Sequence, residues 1–155
     1  MAHQWTEESD VLSIFPTLVW RFELTTAARE AVNAQILDAF AKLRRTDAGS
    51  DPLMAWQSGQ ELYTLASFRD LVSYIQDNTV SIFRFIKIGH DGFEITACWA
   101  TINPTGVAHS VHSHPNNFLS GVYYVQTQTG ADTVYFHDPR IQAGIIRPPV
   151  AVSQV

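Results

Sequence analysis

His109-Ser-Val-His112-Ser-His114-Pro-Asn-Asn-Phe-Leu-Ser-Gly-Val-Tyr-Tyr-Val125 places three of the chain's six histidines within six residues and runs directly into an apolar, strand-like segment. Together these features read as a metal site at the mouth of a β-structure. Side chains alternate faces along an extended segment, so His112 and His114, two apart, can turn both imidazoles toward one ion. His109, three before His112, faces the other side if the strand begins that early. Neutral imidazole suits first-row transition ions such as iron, zinc, copper and nickel. The competing reading is that the three are polar loop histidines with no ligand.

Working outward, 155 residues form one domain by length, and a domain of this size buries roughly 70% of its unfolded surface, so neither a metal nor a disulfide is required to fold it. With 46% hydrophobic and 16% charged residues, the composition is that of a globular chain, neither disordered nor membrane-spanning. A net charge of -5 without a basic block argues against a nucleic-acid partner. Cys98 is the single cysteine, which excludes an intrachain disulfide and zinc sites built on paired cysteines; within Ile95-Thr-Ala-Cys-Trp-Ala-Thr-Ile102 it reads as a small buried hydrophobe. The first ten residues lack a basic region followed by an apolar run, so a cytoplasmic location is expected.

Phe15 to Leu24 alternates, with Leu18, Trp20, Phe22 and Leu24 on one face, which predicts a half-buried strand. Thr26 as cap, followed by Val32, Ile36, Phe40 and Leu43 at helical spacing, predicts a helix over about 27–44, with Glu30 near its positive end and Lys42, Arg44 and Arg45 near its negative end. Residues 46–59 read as a loop that Trp56 pins to the core. A second helix is predicted from Ser67 as cap with Asp70 three residues on. Its stripe is Phe68, Leu71, Val72, Ile75, Thr79, Ile82, Phe83 and Ile86, and it ends near Gly89. Strand-like segments follow at 93–103, 118–125 and 133–137, separated by Asn103-Pro-Thr-Gly106 and Thr129-Gly-Ala-Asp132. The fold class is therefore mainly β with flanking helices (α+β), the two helices buttressing one face of an antiparallel sheet.

His112-x-His114-Pro, Leu119-Ser-Gly-Val-Tyr-Tyr-Val125 and Phe136-x-Asp138-Pro-Arg140 together resemble a family of 2-oxoglutarate- and Fe(II)-dependent oxygenases related to the prolyl hydroxylases. Phe15-Pro-Thr-Leu-Val-Trp20 and Trp99-Ala-Thr-Ile-Asn103 also look like that family's strands, so the resemblance spans most of the chain. It implies a double-stranded β-helix, or jelly roll, incomplete on its C-terminal side. In a single domain 1–155, a strand and two helices occupy 14–90 and the first part of the jelly roll occupies 92–155. It also implies Fe(II) as metal and 2-oxoglutarate as co-substrate, with decarboxylation to succinate and carbon dioxide coupled to hydroxylation of a small-molecule or peptide substrate.

By resemblance, His112 is a metal ligand, and His114 takes a place where a carboxylate is commoner, either as a ligand or as a group orienting a neighbour. Tyr123 and Tyr124 alternate faces, so one of the two can reach the co-substrate while the other packs outside the sheet. Ser120 and Asn103 can line the same cavity or make turns and sheet edges. The third ligand and the basic residue that grips 2-oxoglutarate are expected beyond Val155, since the strand-like C-terminus reads as that of a fragment. His137 lies where the resemblance marks no ligand, Asp138 and Arg140 read as a turn with an ion pair, His90 as an exposed turn residue and His3 as part of a polar terminus. Two further readings remain. One is a cupin-like metal protein, suggested by Gly106 preceding His112-x-His114 but lacking the glutamate expected after it, since Phe118 and Leu119 stand there. The other is a non-catalytic fragment. Exposed strand edges also allow pairing between copies of the chain.

Overall fold

The computed structural model describes residues 16–46, 55–128, 130, 133–138 and 140; His3, the loop residues 47–54 and the segment 141–155 lie outside these. The chain divides into two units, Met1–His112 and Ser113–Val155.

The first unit is built on two helices. Helix α1 spans Thr26–Thr46. Its cap is Thr25 rather than Thr26: the Thr25 hydroxyl accepts from the Ala28 amide at 3.4 Å, and the Thr25 carbonyl accepts the first helical bond, from Arg29, at 2.9 Å. Moving the cap back one residue lets the side-chain oxygen face the otherwise unpaired amide three positions on. The apolar stripe behaves as its spacing predicts, with Val32, Ile36, Ala39 and Phe40 buried and Ile36 fully enclosed. On the exposed face Lys42 pairs with Asp38 at 2.6 Å, one turn earlier.

Helix α2 spans Arg69–Phe85 and is preceded by short 3-10 turns at Leu62–Thr64 and Ala66–Phe68. Ser67 lies inside the second turn and Phe68 occupies the cap position without a side-chain cap bond, so the expected Ser67 cap is absent. The tight turns have already committed the backbone before the helix starts. Its C-terminus arrives earlier than Gly89 and needs no glycine. Lys87 adopts φ 58°, the Ile88 amide donates to Phe83 O at 3.0 Å, and the Lys87 amide donates to Arg84 O at 3.3 Å. This is the double-bonded left-handed helix ending normally favoured by glycine.

Strands β1, Trp56–Gln57, and β2, Thr101–Ile102, pair antiparallel with Trp56 opposite Ile102. A separate parallel bridge joins Glu61 and Cys98, in which Cys98 N donates to Gln60 O at 2.8 Å and Leu62 N donates to Cys98 O at 3.1 Å. Trp56, expected in a loop and found in β1, is buried as expected, and its ring meets Phe40 edge-on at 6.1 Å, while Phe40 meets Phe68 at 5.9 Å. One core thus ties α1, β1 and the approach to α2 together, and Gln35 Nε2 donates to Asp70 Oδ2 at 3.1 Å between the helices.

The remaining strand expectations are not met. Residues 16–25 form no strand; Leu18, Val19 and Phe22 are exposed, although Trp20 packs edge-on against Phe85 at 6.1 Å. Of the expected strand 93–103, only Thr101–Ile102 forms a strand and Cys98 a single bridge, and 118–125 and 133–137 hold no strand among the described residues. The described residues therefore contain two helices and a two-stranded sheet, not a double-stranded β-helix. Alternation in sequence predicts an extended backbone, whereas a strand also requires a partner ladder that the segment itself does not encode.

Candidate metal site

Asn103-Pro-Thr-Gly106 turns the chain toward the histidines. Val107 N donates to Pro104 O at 3.1 Å and Gly106 has φ 85°, a backbone conformation open to glycine and strained for other residues. His109, Ser110, Val111 and His112 then follow without regular structure, and both histidines are exposed. Their rings approach to 6.1 Å between centroids with a 49° tilt. The two therefore do not face away from each other as strand alternation had them, because the segment is not a strand. His112 Nδ1 lies 2.8 Å from the Ser110 carbonyl. A carbonyl only accepts, so in this bond Nδ1–H is the donor, the kind of contact that orients a histidine ring.

His114 falls in the second unit and is half-buried. It is followed by a turn at Pro115–Asn116, with Asn116 at φ 69°, a conformation for which asparagine is well suited. Further along, Leu119, Tyr123 and Val125 are half-buried, whereas Ser120, Val122 and Tyr124 are exposed. Exposure alternates from Val122 to Val125 even though no ladder forms, and it separates the two tyrosines, with Tyr123 on the covered side. Asn103, in the first unit, is exposed. Asp138 and Arg140 form the expected ion pair at 2.6 Å, and the Arg140 amide also donates to Asp138 Oδ1 at 3.0 Å. The guanidinium bonds, together with this amide, lower the Asp138 carboxyl from its ordinary 3.8 to about 2.

No group of three His, Cys, Asp or Glu side chains able to hold a metal ion occurs among the described residues. A three-ligand iron centre therefore does not fit the described residues by themselves. Elsewhere, an open cleft of about 280 Å³ in the first unit is lined by Leu43, Trp56, Ser58, Glu61, Leu62 and Leu65, among others, and by none of the candidate metal or co-substrate residues. Beside it, a hydrogen bond to Glu61, reinforced by that residue's charge, raises the Tyr63 hydroxyl's pKa. His90 is exposed as expected, yet it packs on Phe83 at 4.9 Å and Phe93 at 5.8 Å, a contact its Gly-His-Asp setting did not signal. Among the described residues, no helix is long and apolar enough to cross a membrane.

Residues 97–154 match the family model described as "Putative 2OG-Fe(II) oxygenase". That segment is thereby similar to an oxygenase domain using Fe(II) and 2-oxoglutarate, and it includes Asn103, all three clustered histidines, Ser120, Tyr123, Tyr124 and the Asp138–Arg140 pair. Neither a curated protein nor a solved structure matches the chain.

Proposed function

We propose that the protein is an Fe(II)- and 2-oxoglutarate-dependent oxygenase of the hydroxylase type, acting on a small-molecule or peptide substrate. The observation that carries this reading is the family match over 97–154, which includes the His112-x-His114-Pro and Leu119-Ser-Gly-Val-Tyr-Tyr-Val125 motifs. In this reading His112 and His114 are iron ligands. The Nδ1–H bond to the Ser110 carbonyl supports the first assignment, because such a contact orients a histidine ring. Tyr123, half-buried, is the tyrosine assigned to the co-substrate, with Asn103 and Ser120 as further polar lining. The reading also requires a third protein ligand and a basic group for the far carboxylate of 2-oxoglutarate, neither of which is assigned within residues 1–155. The family match gives no support to the cupin-like alternative or the non-catalytic fragment.

The test is anaerobic loading of the intact protein with Fe(II) and 2-oxoglutarate, followed by oxygen and measurement of succinate. Succinate above a metal-free control, lost in His112→Ala, is expected. Folded, metal-loaded protein that forms none overturns the reading.

A further inference from the structure

We infer that the exposed aromatic end of α2 docks into the open cleft of a second copy of this chain, with Phe85 entering as an apolar anchor and Arg84 and Lys87 meeting the carboxylates beside that cleft. The inference is independent of the oxygenase reading, since neither surface includes a residue assigned to iron or 2-oxoglutarate. Phe85 closes α2 but lies off the face that buries Leu71 and Phe83; it is 67% exposed, with the Trp20 ring edge-on to it at 6.1 Å. Val19 and Ile88, next to this pair in the chain, add further exposed apolar surface. Arg84 and Lys87 flank Phe85, both exposed, and neither joins an ion pair among the described residues. Lys87 is held at φ 58°, so the fold tolerates backbone strain at the point where this cation is presented. A Cβ added at Gly89 would meet nothing within 4 Å, so the turn after α2 is not crowded by the rest of the chain.

The cleft of about 280 Å³ has the complementary character. Leu43, Leu62 and Leu65 give it apolar walls and Glu61 contributes a carboxylate. The Tyr63 hydroxyl, hydrogen-bonded to Glu61, also feels the Glu94 charge, so two carboxylates act on one spot. Of the bases flanking Leu43, Lys42 is paired with Asp38 at 2.6 Å and Arg45 Nε turns back to Ala41 O at 3.0 Å, which leaves Arg44 as one cation against those two carboxylates. Sites that enclose a drug-sized molecule start at roughly 300 Å³, so an open space of this size suits a single large side chain, the aromatic anchor that carries much of the binding energy at protein interfaces. An apolar anchor between two cations and an apolar cleft beside two carboxylates match in both shape and charge. Each chain carries one of each, so a second copy supplies the partner surface, and the contact between unlike patches is heterologous.

The test is sedimentation velocity on the intact protein over about a hundredfold dilution series. Average mass is expected to rise with concentration, and Phe85→Ala to weaken association by about tenfold or more, because it removes the anchor. Arg84→Glu combined with Lys87→Glu, and separately Glu61→Lys combined with Glu94→Lys, are each expected to weaken self-association to a similar degree. An equimolar mixture of these two charge-reversed proteins should associate again, and should cease to do so when Phe85→Ala is added to both, which separates docking from general attraction between oppositely altered chains. All of these positions are exposed, so the folded monomer should tolerate the changes, and far-UV circular dichroism checks that α1 and α2 persist. A protein that stays monomeric throughout the series overturns the proposal. So does an oligomer indifferent to Phe85→Ala, or a mixture that fails to recover association.

Discussion

At the residue scale, the clearest consequence of packing is Ile36. It is fully enclosed in α1, so Ile36→Ala is expected to cost about 3 kcal/mol, the loss of transfer energy plus a cavity, measured by urea denaturation. A cost below about 1 kcal/mol would mean that the core collapses around the site. Cys98 reads from sequence as a small buried hydrophobe, whereas its exposure is intermediate; even so, burial pushes the thiol pKa up. Alkylation by iodoacetamide near neutral pH should be roughly tenfold or more slower in the folded protein than in urea, and equal rates would refute the burial argument. Asp138 carries the opposite shift, downward to about 2, caused by Arg140. Its contribution to stability is present above the unfolded carboxyl value and fades as pH falls through about 2. An NMR carboxyl titration should show the low midpoint, returning to the ordinary range in Arg140→Ala. The Asp-Pro-Arg pair was readable because its partners are two residues apart, whereas His90 against Phe83 and Phe93 was not, because that contact depends on the return of the chain after α2.

At the element scale, both helices were legible from period and composition, and their ends were not. Thr25 and Thr26 are chemically alike, so only the backbone path decides which hydroxyl faces the Ala28 amide. The close of α2 likewise places Lys87 at φ 58°, where a side chain costs energy. Lys87→Gly should therefore stabilise the protein by about 0.5–1 kcal/mol in chemical denaturation, since glycine takes that conformation without strain. A destabilisation would show that the lysine side chain contributes more than the backbone strain it imposes. The strands were the least legible elements. Alternation survives over 122–125, in the differing exposure of Tyr123 and Tyr124, but pairing is a property of two segments and cannot be read from one.

At the scale of the whole molecule, the candidate metal chemistry and the hydrophobic core are separate. The buried residues described in the first unit are all apolar, from Val32 and Ile36 to Trp56 and Phe83, and include no candidate ligand. Removing metal with EDTA should therefore leave helical circular dichroism and the thermal midpoint nearly unchanged, unlike a structural zinc domain, which unfolds on chelation. A large fall in Tm would place a metal in the folding core. The sequence by itself determined the two helices with their buried stripes, the order of helices before the histidine segment, and the histidine and Leu-Ser-Gly-Val-Tyr-Tyr-Val motifs, because periodicity and motif spacing are local properties of the chain. Only the tertiary structure decided that Trp56 meets Phe40, that Cys98 bridges to the 60–62 segment, and that His109 turns toward His112. Those approaches depend on where turns and loops carry distant or irregular backbone, and no spacing rule fixes that path.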